Sequence, residues 1–344
     1  MNKKALITGV TGQDGALLAR LLLAKGYRVY GALRSQAPGV IWRLTELGLA
    51  DRIEFFQFDM LDYAGIEESI RKINPDEIYN LASQSFVGAS FQRPLYAGEV
   101  NGMAVARILE AVRQMNPAIR VLQASTSEMF GIPQTIPQHE ATAFHPRSPY
   151  GVAKLYGHYS VMNYREQFGI YACSAILYNH ESAFRGQEFV TRKITLGLSR
   201  IKLGLQDTLL LGNLEARRDW GFAEEYVEGM WRMLQQEKPD DYILSTGRAT
   251  SVRSFVDTAA ECAGLRLEWI GQGVDLQAID RDCGKCIVRV NPEFYRPIEA
   301  HQLVGDPAKA QRVLGWKASP NLQGLCAAMV SADIDRVSQG RLFG

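Results

Sequence analysis

The stretch TGVTGQDG, residues 8–15, decides the fold of this chain. It follows an apolar run, KALI at residues 4–7, and precedes a helical pattern, LLARLLLAKG at residues 17–26. Its glycines have the spacing G-x-x-G-x-x-G, which lets backbone N–H groups approach a pyrophosphate at the positive end of a helix. A tight turn also favours glycine, so the spacing alone is weak evidence. Its place in the first strand-to-helix turn favours dinucleotide binding, with contacts predicted at Gly9, Thr11, Gly12, Gln13, Asp14 and Gly15.

The chain continues the alternation of strands and helices that this stretch begins. Short aliphatic or β-branched runs alternate with longer helical patterns through the first two-thirds of the sequence, which is typical of repeated βαβ units. The strand-like runs after the first are YRVYGAL (27–33), RIEFFQFD (52–59), DEIYNLA (76–82) and RVLQAS (120–125). We therefore predict an α/β fold with a Rossmann-like, doubly wound parallel sheet.

A second, smaller lobe is predicted in the later part of the chain. After about Asn179 the alternation becomes less regular, and no Pro- or Ser-rich linker separates the two parts. We assign residues 1–180 to the dinucleotide-binding domain. Residues 181–344 are assigned mainly to a mixed α/β substrate-binding lobe, with some segments returning to the first domain. The active site is then expected in the cleft between the two parts.

Composition limits the possible partners. The 344 residues carry 38 Lys and Arg against 37 Asp and Glu, a net charge of +1, so no global field attracts nucleic acid or an anionic membrane. No apolar run approaches the roughly 20 residues that span a bilayer, and the apolar segment at the N-terminus is too short for a signal peptide. We predict a soluble cytoplasmic protein that binds neither nucleic acid nor membrane.

Five scattered cysteines do not resemble a disulfide framework. Cys283 and Cys286 form one C-x-x-C, which is compatible with a redox pair or half of a zinc site. A Gly-containing turn that enters a strand at Cys286–Val290 is the favoured interpretation, because no second Cys or His pair lies nearby. No metal site is predicted.

The end of the second strand favours NADP over NAD. NAD-dependent proteins usually carry Asp or Glu there, whereas this chain has Arg34 and Ser35, a cation and a hydroxyl that suit a 2′-phosphate. A solvated Arg34 in a loop is the alternative. Further cofactor contacts are predicted only from their positions at strand ends, at Asp59, Met60, Leu81, Ala82 and Ser83.

Tyr150 and Lys154 lie in SPYGVAKLYG and would face the same way, one helical turn apart. An ammonium beside the phenol is expected to stabilise the phenolate and lower the tyrosine pKa, so that Tyr150 takes a hydroxyl proton while hydride leaves the same carbon. The pattern Y-x-x-x-K is common on solvated helices. Its combination with the glycine loop and with the hydroxyl-bearing strand end at Ser125, Thr126 and Ser127 makes a catalytic role the stronger hypothesis.

Glu128 favours dehydration over simple redox chemistry. Once a sugar C4 is a ketone its C5 proton is acidic, and a nearby carboxylate can remove that proton and assist loss of the C6 hydroxyl as water. A simple dehydrogenase or epimerase needs no such carboxylate. A surface glutamate after a strand is the alternative.

Several long segments, in order, resemble the GDP-mannose 4,6-dehydratase family of extended short-chain dehydrogenases/reductases. The resemblance covers nearly the whole chain. The segments are TSEMFG (126–131), PRSPYGVAKLYGH (146–158), NYREQFG (163–169), YNHES (178–182), FVTRKIT (189–195), LGNLEARRDWG (211–221), YRPIEA (295–300) and LVGDPAKAQRVLGW (303–316).

The resemblance implies roles for individual residues. Thr126, Glu128 and Tyr150 would be the catalytic group, with Lys154 beside the nicotinamide ribose. Added cofactor contacts would be Tyr96, His180 and Arg185, and Ser85 would bind near the sugar. The substrate, GDP-mannose or a related GDP-sugar, would contact Ser85, Glu128, Asn179, Lys193, Arg218, Arg296 and Glu299.

The chain departs from the family pattern at Ser83, Ala183, Phe184 and His301, all expected near the sugar or nucleotide. The exact sugar therefore stays open, and a related GDP-hexose or GDP-heptose is an alternative. A nucleotide-sugar epimerase or reductase on the same fold is another, and a module that only senses NADP is a third. The family also implies a homodimer or homotetramer, with the loop after Arg34 packing against a neighbouring subunit.

Overall fold

The chain forms an alternating series of strands and helices. The computed structural model describes residues 2–34, 39–295 and 302–341. The strands are β1 (Lys4–Thr8), β2 (Arg28–Leu33), β3 (Glu54–Gln57), β4 (Glu77–Asn80), β5 (Arg120–Thr126), β6 (Ala172–Leu177), β7 (Asn179–Glu181), β8 (Leu209–Leu211), β9 (Arg217–Phe222), β10 (Tyr242–Leu244), β11 (Ala249–Ser251), β12 (Leu267–Ile270), β13 (Gln277–Asp280) and β14 (Cys286–Val290). The α-helices are α1 (Gln13–Ala24), α2 (Trp42–Glu46), α3 (Tyr63–Ile73), α4 (Val87–Gln92), α5 (Pro94–Gly98), α6 (Ala104–Met115), α7 (Pro149–Phe168), α8 (Val190–Lys202), α9 (Ala223–Met233), α10 (Val252–Cys262), α11 (Ala308–Leu314) and α12 (Leu322–Ser338). Within the described ranges, none of these helices has the length and apolarity needed to cross a membrane.

The large sheet confirms the predicted fold class. Its strand order is β10-β6-β5-β4-β1-β2-β3, and every neighbouring pair is parallel. The order reverses at β1, because β2 and β3 lie on one side of it and β4, β5 and β6 on the other. The carboxyl ends of β1 and β4 therefore border a crevice, which is where an open sheet of this kind binds its ligands.

Helices cover both faces of the large sheet. On β1, Ile7 belongs to the core shared with α1 and α9, whereas Leu6 belongs to the core shared with α3 and α6. Successive side chains of a strand point to opposite faces, and both of these side chains are fully buried. A strand that is buried on both faces needs a nearly continuous apolar run, which explains the sequence KALIT.

The smaller lobe has its own core. It contains two further sheets, with the orders β11-β9-β7 and β12-β13-β14-β8. Helices α8, α10 and α12 pack together beside them around buried side chains that include Phe255, Val288 and Met329. Between these elements the chain crosses back, since α9 packs on α1 and β10 pairs with β6. Strand β7 spans residue 180, and the division at that residue stays a prediction.

Cys283 and Cys286 lie in the hairpin between β13 and β14. The favoured interpretation of a turn entering a strand at Cys286 is confirmed, because β14 covers Cys286–Val290. The Cys283 thiol donates to the Asp280 carboxylate at 3.2 Å. Both cysteines are free thiols, and the described residues include no cluster of three or more metal-binding side chains.

Candidate active site

A cleft of about 410 Å³ opens at the carboxyl ends of β1, β4, β5 and β6. Segments that lie far apart in the chain meet there because parallel strands end at the same edge of the sheet. Most of the predicted site residues line this cleft. They are Gly9, Thr11, Gly12, Gln13, Asp14, Gly15, Leu81, Ala82, Ser83, Ser85, Thr126, Glu128, Tyr150, Lys154, Asn179, His180 and Arg185.

The glycine loop is tightly folded against the strand ends. Gly9 has a φ of +67°, and a Cβ there would lie 2.8 Å from the backbone nitrogen of Ala82. A Cβ on Gly15 would lie 2.3 Å from the carbonyl oxygen of Gly9. Gly12 precedes α1, and no side chain of the described residues caps that helix end. Its first N–H groups are therefore suited to bind an anion.

Replacing Gly15 with alanine is expected to lower dinucleotide affinity at least tenfold and to destabilise the protein by about 1–3 kcal/mol. The added methyl would meet Gly9 O and the Cα of Val10, which are backbone atoms that cannot swing away. Gly98→Ala is a matched control, since Gly98 is helical and a Cβ there meets nothing within 4 Å. Calorimetric titration and urea unfolding give the two quantities, and unchanged affinity in Gly15→Ala would contradict the expected packing.

A buried polar chain under the cleft joins three strand ends. The Thr8 hydroxyl donates to Asn80 Oδ1 at 2.6 Å, and Asn80 Nδ2 donates to Gln123 Oε1 at 2.6 Å. The same Thr8 oxygen accepts from the backbone nitrogens of Leu81 and Ala82 at 3.1 Å. Sequence reasoning missed this chain, although polar residues at the ends of otherwise apolar strands are its signal. It fixes the strand ends that form the cleft floor.

Tyr150 and Lys154 lie on α7, as the spacing predicted. Ser148 caps the helix by accepting from Gly151 N at 3.1 Å, which places Tyr150 in the first turn. The Lys154 ammonium donates to the carbonyl of Ala124 at 2.8 Å and lies 5.7 Å from the centroid of the Tyr150 ring. The lysine is therefore held by β5.

The protonation of Tyr150 differs from the sequence prediction. Burial raises the Tyr150 pKa to about 12, and the Glu128 carboxylate adds to the rise. Hydrogen bonds with the Thr126 and Ser83 side chains oppose it, as does the charge of Arg185. Burial also lowers the Lys154 pKa to about 8. The expectation that Lys154 keeps the Tyr150 pKa below its usual value is thus wrong, because desolvation of the phenolate outweighs the other effects of the surrounding protein groups.

Glu128 lies in a single 3₁₀ turn, Ser127–Met129, directly after β5. Its backbone nitrogen donates to the Thr126 hydroxyl at 3.2 Å. Helix α7 approaches this turn closely, since a Cβ on Gly151 would lie 2.8 Å from the Glu128 carbonyl oxygen. Glu128 lines the same cleft as Tyr150. Thr126, Glu128 and Tyr150 are therefore brought together, while their catalytic roles stay predictions.

The His180 imidazole is engaged by protein atoms on both ring nitrogens. Nε2 lies 2.8 Å from the Asp14 carboxylate and Nδ1 lies 2.7 Å from the carbonyl oxygen of Tyr178. The ring also stacks on Tyr226 with centroids 4.7 Å apart. Burial alone would lower the His180 pKa, but Asp14 raises it. Burial alone would raise the Asp14 pKa, but His180 lowers it to about 2.

The Asp14→Asn variant is expected to be less stable than wild type near neutral pH, by roughly 1–2 kcal/mol, and the difference is expected to shrink as the pH rises through the raised folded pKa of His180. Because the folded pKa of His180 is raised, its contribution is complete below the ordinary value of about 6.5 and is lost as the pH rises through the folded value. The contribution of Asp14 is lost only in acid, as the pH falls towards its folded pKa of about 2. Urea unfolding at several pH values measures this. Glu228→Gln, which removes an ion pair with Arg232 at the surface, is the control, and its difference in unfolding free energy from wild type should not change with pH. A difference for Asp14→Asn that grows with pH would contradict the expectation.

Several predicted residues lie outside the cleft lining. Arg34 donates to the Tyr96 hydroxyl at 2.6 Å, so these two predicted cofactor contacts meet each other. Asp59 accepts from Leu61 N at 2.9 Å, and Met60 is buried. Lys193 and Arg218 belong to α8 and β9 of the smaller lobe. Ser35, Arg296, Glu299 and His301 lie outside the described residues.

The family departures differ in position. Ser83 lines the cleft, and its hydroxyl donates to Asn101 Oδ1 at 2.9 Å. Phe184 instead packs against Trp42 at 6.1 Å between ring centroids, and neither Ala183 nor Phe184 lines the cleft. The Phe184 side chain thus belongs to the core under α1 and not to the cleft lining, and its placement near the sugar or nucleotide stays a prediction.

Sequence reasoning missed several lining residues, among them Arg43, Glu188 and Phe189. The Arg185 guanidinium lies over the Phe189 ring, 3.6 Å from the ring centroid. Arg185 also forms an ion pair with the buried Glu181 at 3.0 Å. Arg43 and Glu188 lie outside the segments that resemble the family, and Phe189 begins one of them without a role assigned to it. Only the fold brings them to the cleft.

A family model described as GDP-mannose 4,6 dehydratase matches residues 6–329. The chain is 47% identical over 339 residues to GDP-mannose 4,6-dehydratase of Sinorhizobium fredii (strain HH103), covering 96% of this chain and 97% of that protein. It is 46% identical to GDP-mannose 4,6 dehydratase 2 of Caenorhabditis elegans, covering 96% and 89%.

Solved structures share the fold at lower sequence identity. RMD from Pseudomonas aeruginosa, complexed with NADPH, superposes with a TM-score of 0.78 at 20% identity and covers 97% of this chain and 100% of that one. UDP-glucose 4-epimerase from Bifidobacterium longum, in complex with NAD+ and UDP, gives a TM-score of 0.80 at 18% identity, covering 99% and 100%. Such likeness supports the architecture alone.

Proposed function

This chain belongs to the GDP-mannose 4,6-dehydratase family, and from that premise we propose that it converts GDP-D-mannose to GDP-4-keto-6-deoxy-D-mannose with NADP as cofactor. One observation carries the proposal. Thr126, Glu128, Tyr150 and Lys154 line the same cleft as the glycine loop. An NADP-sensing module has no need of that set, and an epimerase has no need of Glu128.

The residues of the cleft fit a dinucleotide. The uncapped start of α1 and the close approach of Gly9 and Gly15 suit a pyrophosphate, and Lys154, fixed by the Ala124 carbonyl, suits the nicotinamide ribose. Arg34, at the end of β2, is the predicted cation for a 2′-phosphate. When bound, the oxidised nicotinamide supplies a reversible hydride acceptor and a positive charge.

Tyr150 is proposed to take the proton of the sugar C4 hydroxyl. The surrounding protein groups give the phenol a pKa of about 12, so it is protonated at neutral pH. Loss of the proton therefore needs added positive charge in the cleft, because opposite charge favours the phenolate. The Thr126 and Ser83 side chains lower the Tyr150 pKa and so favour the charged form. They are positioned to stabilise the tyrosinate through the step.

Glu128 is proposed to act on the 4-ketone. Its carboxylate takes the C5 proton, the electron pair of that C–H bond forms the C5–C6 double bond, and the C6–O bond breaks. The protonated carboxyl then delivers its proton to the departing hydroxyl, so that water leaves and the carboxylate is restored. Reduction at C6 and protonation at C5 complete a reaction with no net redox change.

The nucleotide end of the substrate is proposed to bind the smaller lobe. Asn179 and Ser85 line the cleft and suit the sugar and its diphosphate. Lys193, half-buried over the Phe294 ring at 4.5 Å, and Arg218 on β9 supply cations further out. Arg296 and Glu299 are assigned to the same ligand from the resemblance alone.

The test is to incubate the purified protein with GDP-mannose and NADP+ in deuterated water. The expected product has lost one water, carries a 4-keto group and has gained solvent deuterium at C5. A product isomeric with the substrate would identify an epimerase instead. Tight NADP+ binding without turnover would favour the sensing module.

Two further properties remain proposals from the resemblance. The protein is proposed to be cytoplasmic and to form a homodimer or homotetramer, with the loop after Arg34 at a subunit contact. Sedimentation of the purified protein tests the oligomeric state.

A further inference from the structure

Arg43 is a cation of the cleft that the proposed function leaves without a role. It lies on α2, lines the cleft and is half-buried. Its Nε donates to the carbonyl of Phe184 at 2.7 Å, and its Nη1 donates to the carbonyl of Thr11 at 3.0 Å. The guanidinium also lies 4.4 Å from the Trp42 ring centroid. Two backbone oxygens and one ring therefore fix its orientation.

Neighbouring arginines each form an ion pair with a carboxylate, whereas Arg43 is hydrogen-bonded only to neutral backbone carbonyl oxygens. Arg185 pairs with Glu181 at 3.0 Å, Arg192 with Asp333 at 2.8 Å and Arg336 with Glu46 at 2.6 Å. Among the described residues, no carboxylate lies within salt-bridge distance of Arg43. Its hydrogen bonds use two of the five N–H donors of a guanidinium. Donors and charge therefore remain for a ligand.

The charges around Arg43 favour an anion. Burial and the positive charge of Arg192 lower the Arg43 pKa to about 10, and Glu188 opposes this only in part. The guanidinium stays charged at neutral pH, whereas the neighbouring arginines Arg185, Arg192 and Arg336 have their charges balanced by their own carboxylates. A bound anion would compensate that charge, and arginine suits bidentate contact with phosphate.

The position of Arg43 identifies which phosphate it can reach. A pyrophosphate belongs at the start of α1, where N–H groups are available. Arg43 instead comes from the connection after β2, and the end of that strand faces the adenosine ribose in this fold. Its hydrogen bond to the Thr11 carbonyl holds it beside the glycine loop. Arg34, from the same connection, is the other predicted cation for this phosphate, and it donates to the Tyr96 hydroxyl.

We infer that Arg43 binds the 2′-phosphate of the NADP adenosine and thereby makes the protein prefer NADP to NAD. The inference rests on the proposed NADP dependence. The competing role is purely structural: Arg43 would only connect the glycine loop to the segment at Phe184 through its two hydrogen bonds. Replacing a purely structural Arg43 would lower the affinities for NADP+ and NAD+ equally, since both carry the same pyrophosphate.

The test is calorimetric titration of the full chain with NADP+, NAD+, adenosine 2′,5′-bisphosphate and 5′-AMP. Arg43→Gln is expected to lower the affinities for NADP+ and for the bisphosphate by about 10–100-fold. The affinities for NAD+ and 5′-AMP are expected to change by less than about threefold. Arg43→Lys should recover part of the loss, because it keeps the charge without the bidentate donors. Arg20→Gln, which removes an exposed cation of α1 paired with Glu224, is the matched control and should leave all four affinities unchanged.

An equal loss of affinity for NADP+ and NAD+ in Arg43→Gln would overturn the inference and support the purely structural role. Unchanged affinities would overturn it as well. If Arg43→Gln fails to fold, the ratio of NADP+ to NAD+ affinity in Arg43→Lys decides, and a ratio equal to that of wild type rejects the inference. A wild-type protein that binds neither dinucleotide, or prefers NAD+, would instead reject the proposed NADP dependence.

Discussion

Replacing Tyr150 with phenylalanine is expected to lower kcat for the proposed reaction by on the order of 10³-fold. Phenylalanine keeps the ring in its buried place on α7 but removes the oxygen that contacts Thr126 and Ser83. The C4 hydroxyl then has no base, since Lys154 is held by the Ala124 carbonyl. Product formation from GDP-mannose gives the rate, and NADP+ affinity measured by titration should stay within about threefold of wild type.

The matched control for this variant is Tyr156→Phe. Tyr156 lies on the same helix but is 48% exposed and does not line the cleft. Removal of the Tyr156 hydroxyl should leave kcat unchanged. If Tyr150→Phe also turned over at nearly the wild-type rate, a different group would be the base.

Replacing Glu128 with glutamine is expected to abolish water loss, with a fall in product formation of about 10²–10⁴-fold. Glutamine has nearly the same shape but cannot accept the C5 proton. The C4 oxidation does not need Glu128, so reduced nicotinamide should accumulate on the variant after GDP-mannose is added. Its absorbance in a rapid-mixing experiment separates the blocked step from a failure to bind.

Glu166→Gln is the control for charge removal, because Glu166 is an exposed residue of α7. It should leave product formation unchanged. Unaltered turnover in Glu128→Gln would reject the proposed role of Glu128. Loss of NADP+ binding together with turnover would show that Glu128 supports the cleft itself.

Local patterns in the sequence were sufficient for the fold class and for much of the cleft. The glycine spacing predicts the loop before α1, and the spacing of Tyr150 and Lys154 predicts one face of α7. Residues 41–49, IWRLTELGL, have a helical pattern, yet only the short α2, Trp42–Glu46, forms there. Residues 241–247, DYILSTG, have a strand pattern in the part of the chain assigned mainly to the smaller lobe, yet β10 pairs with β6 in the large sheet. Local periodicity predicts that a strand forms but not which strand it pairs with.

Residue types and their spacing establish the chemical capacity of the chain, namely an anion-binding turn, a phenol with a lysine, and a carboxylate near a strand end. The protonation states and partners of those groups depend on the folded arrangement. It paired His180 with Asp14, 166 positions away in the chain, and gave Arg43 two carbonyls in place of a carboxylate. It also buried Tyr150 so deeply that its pKa is raised. Charge state and partner choice depend on distance and desolvation, and both of these exist only once the chain has folded.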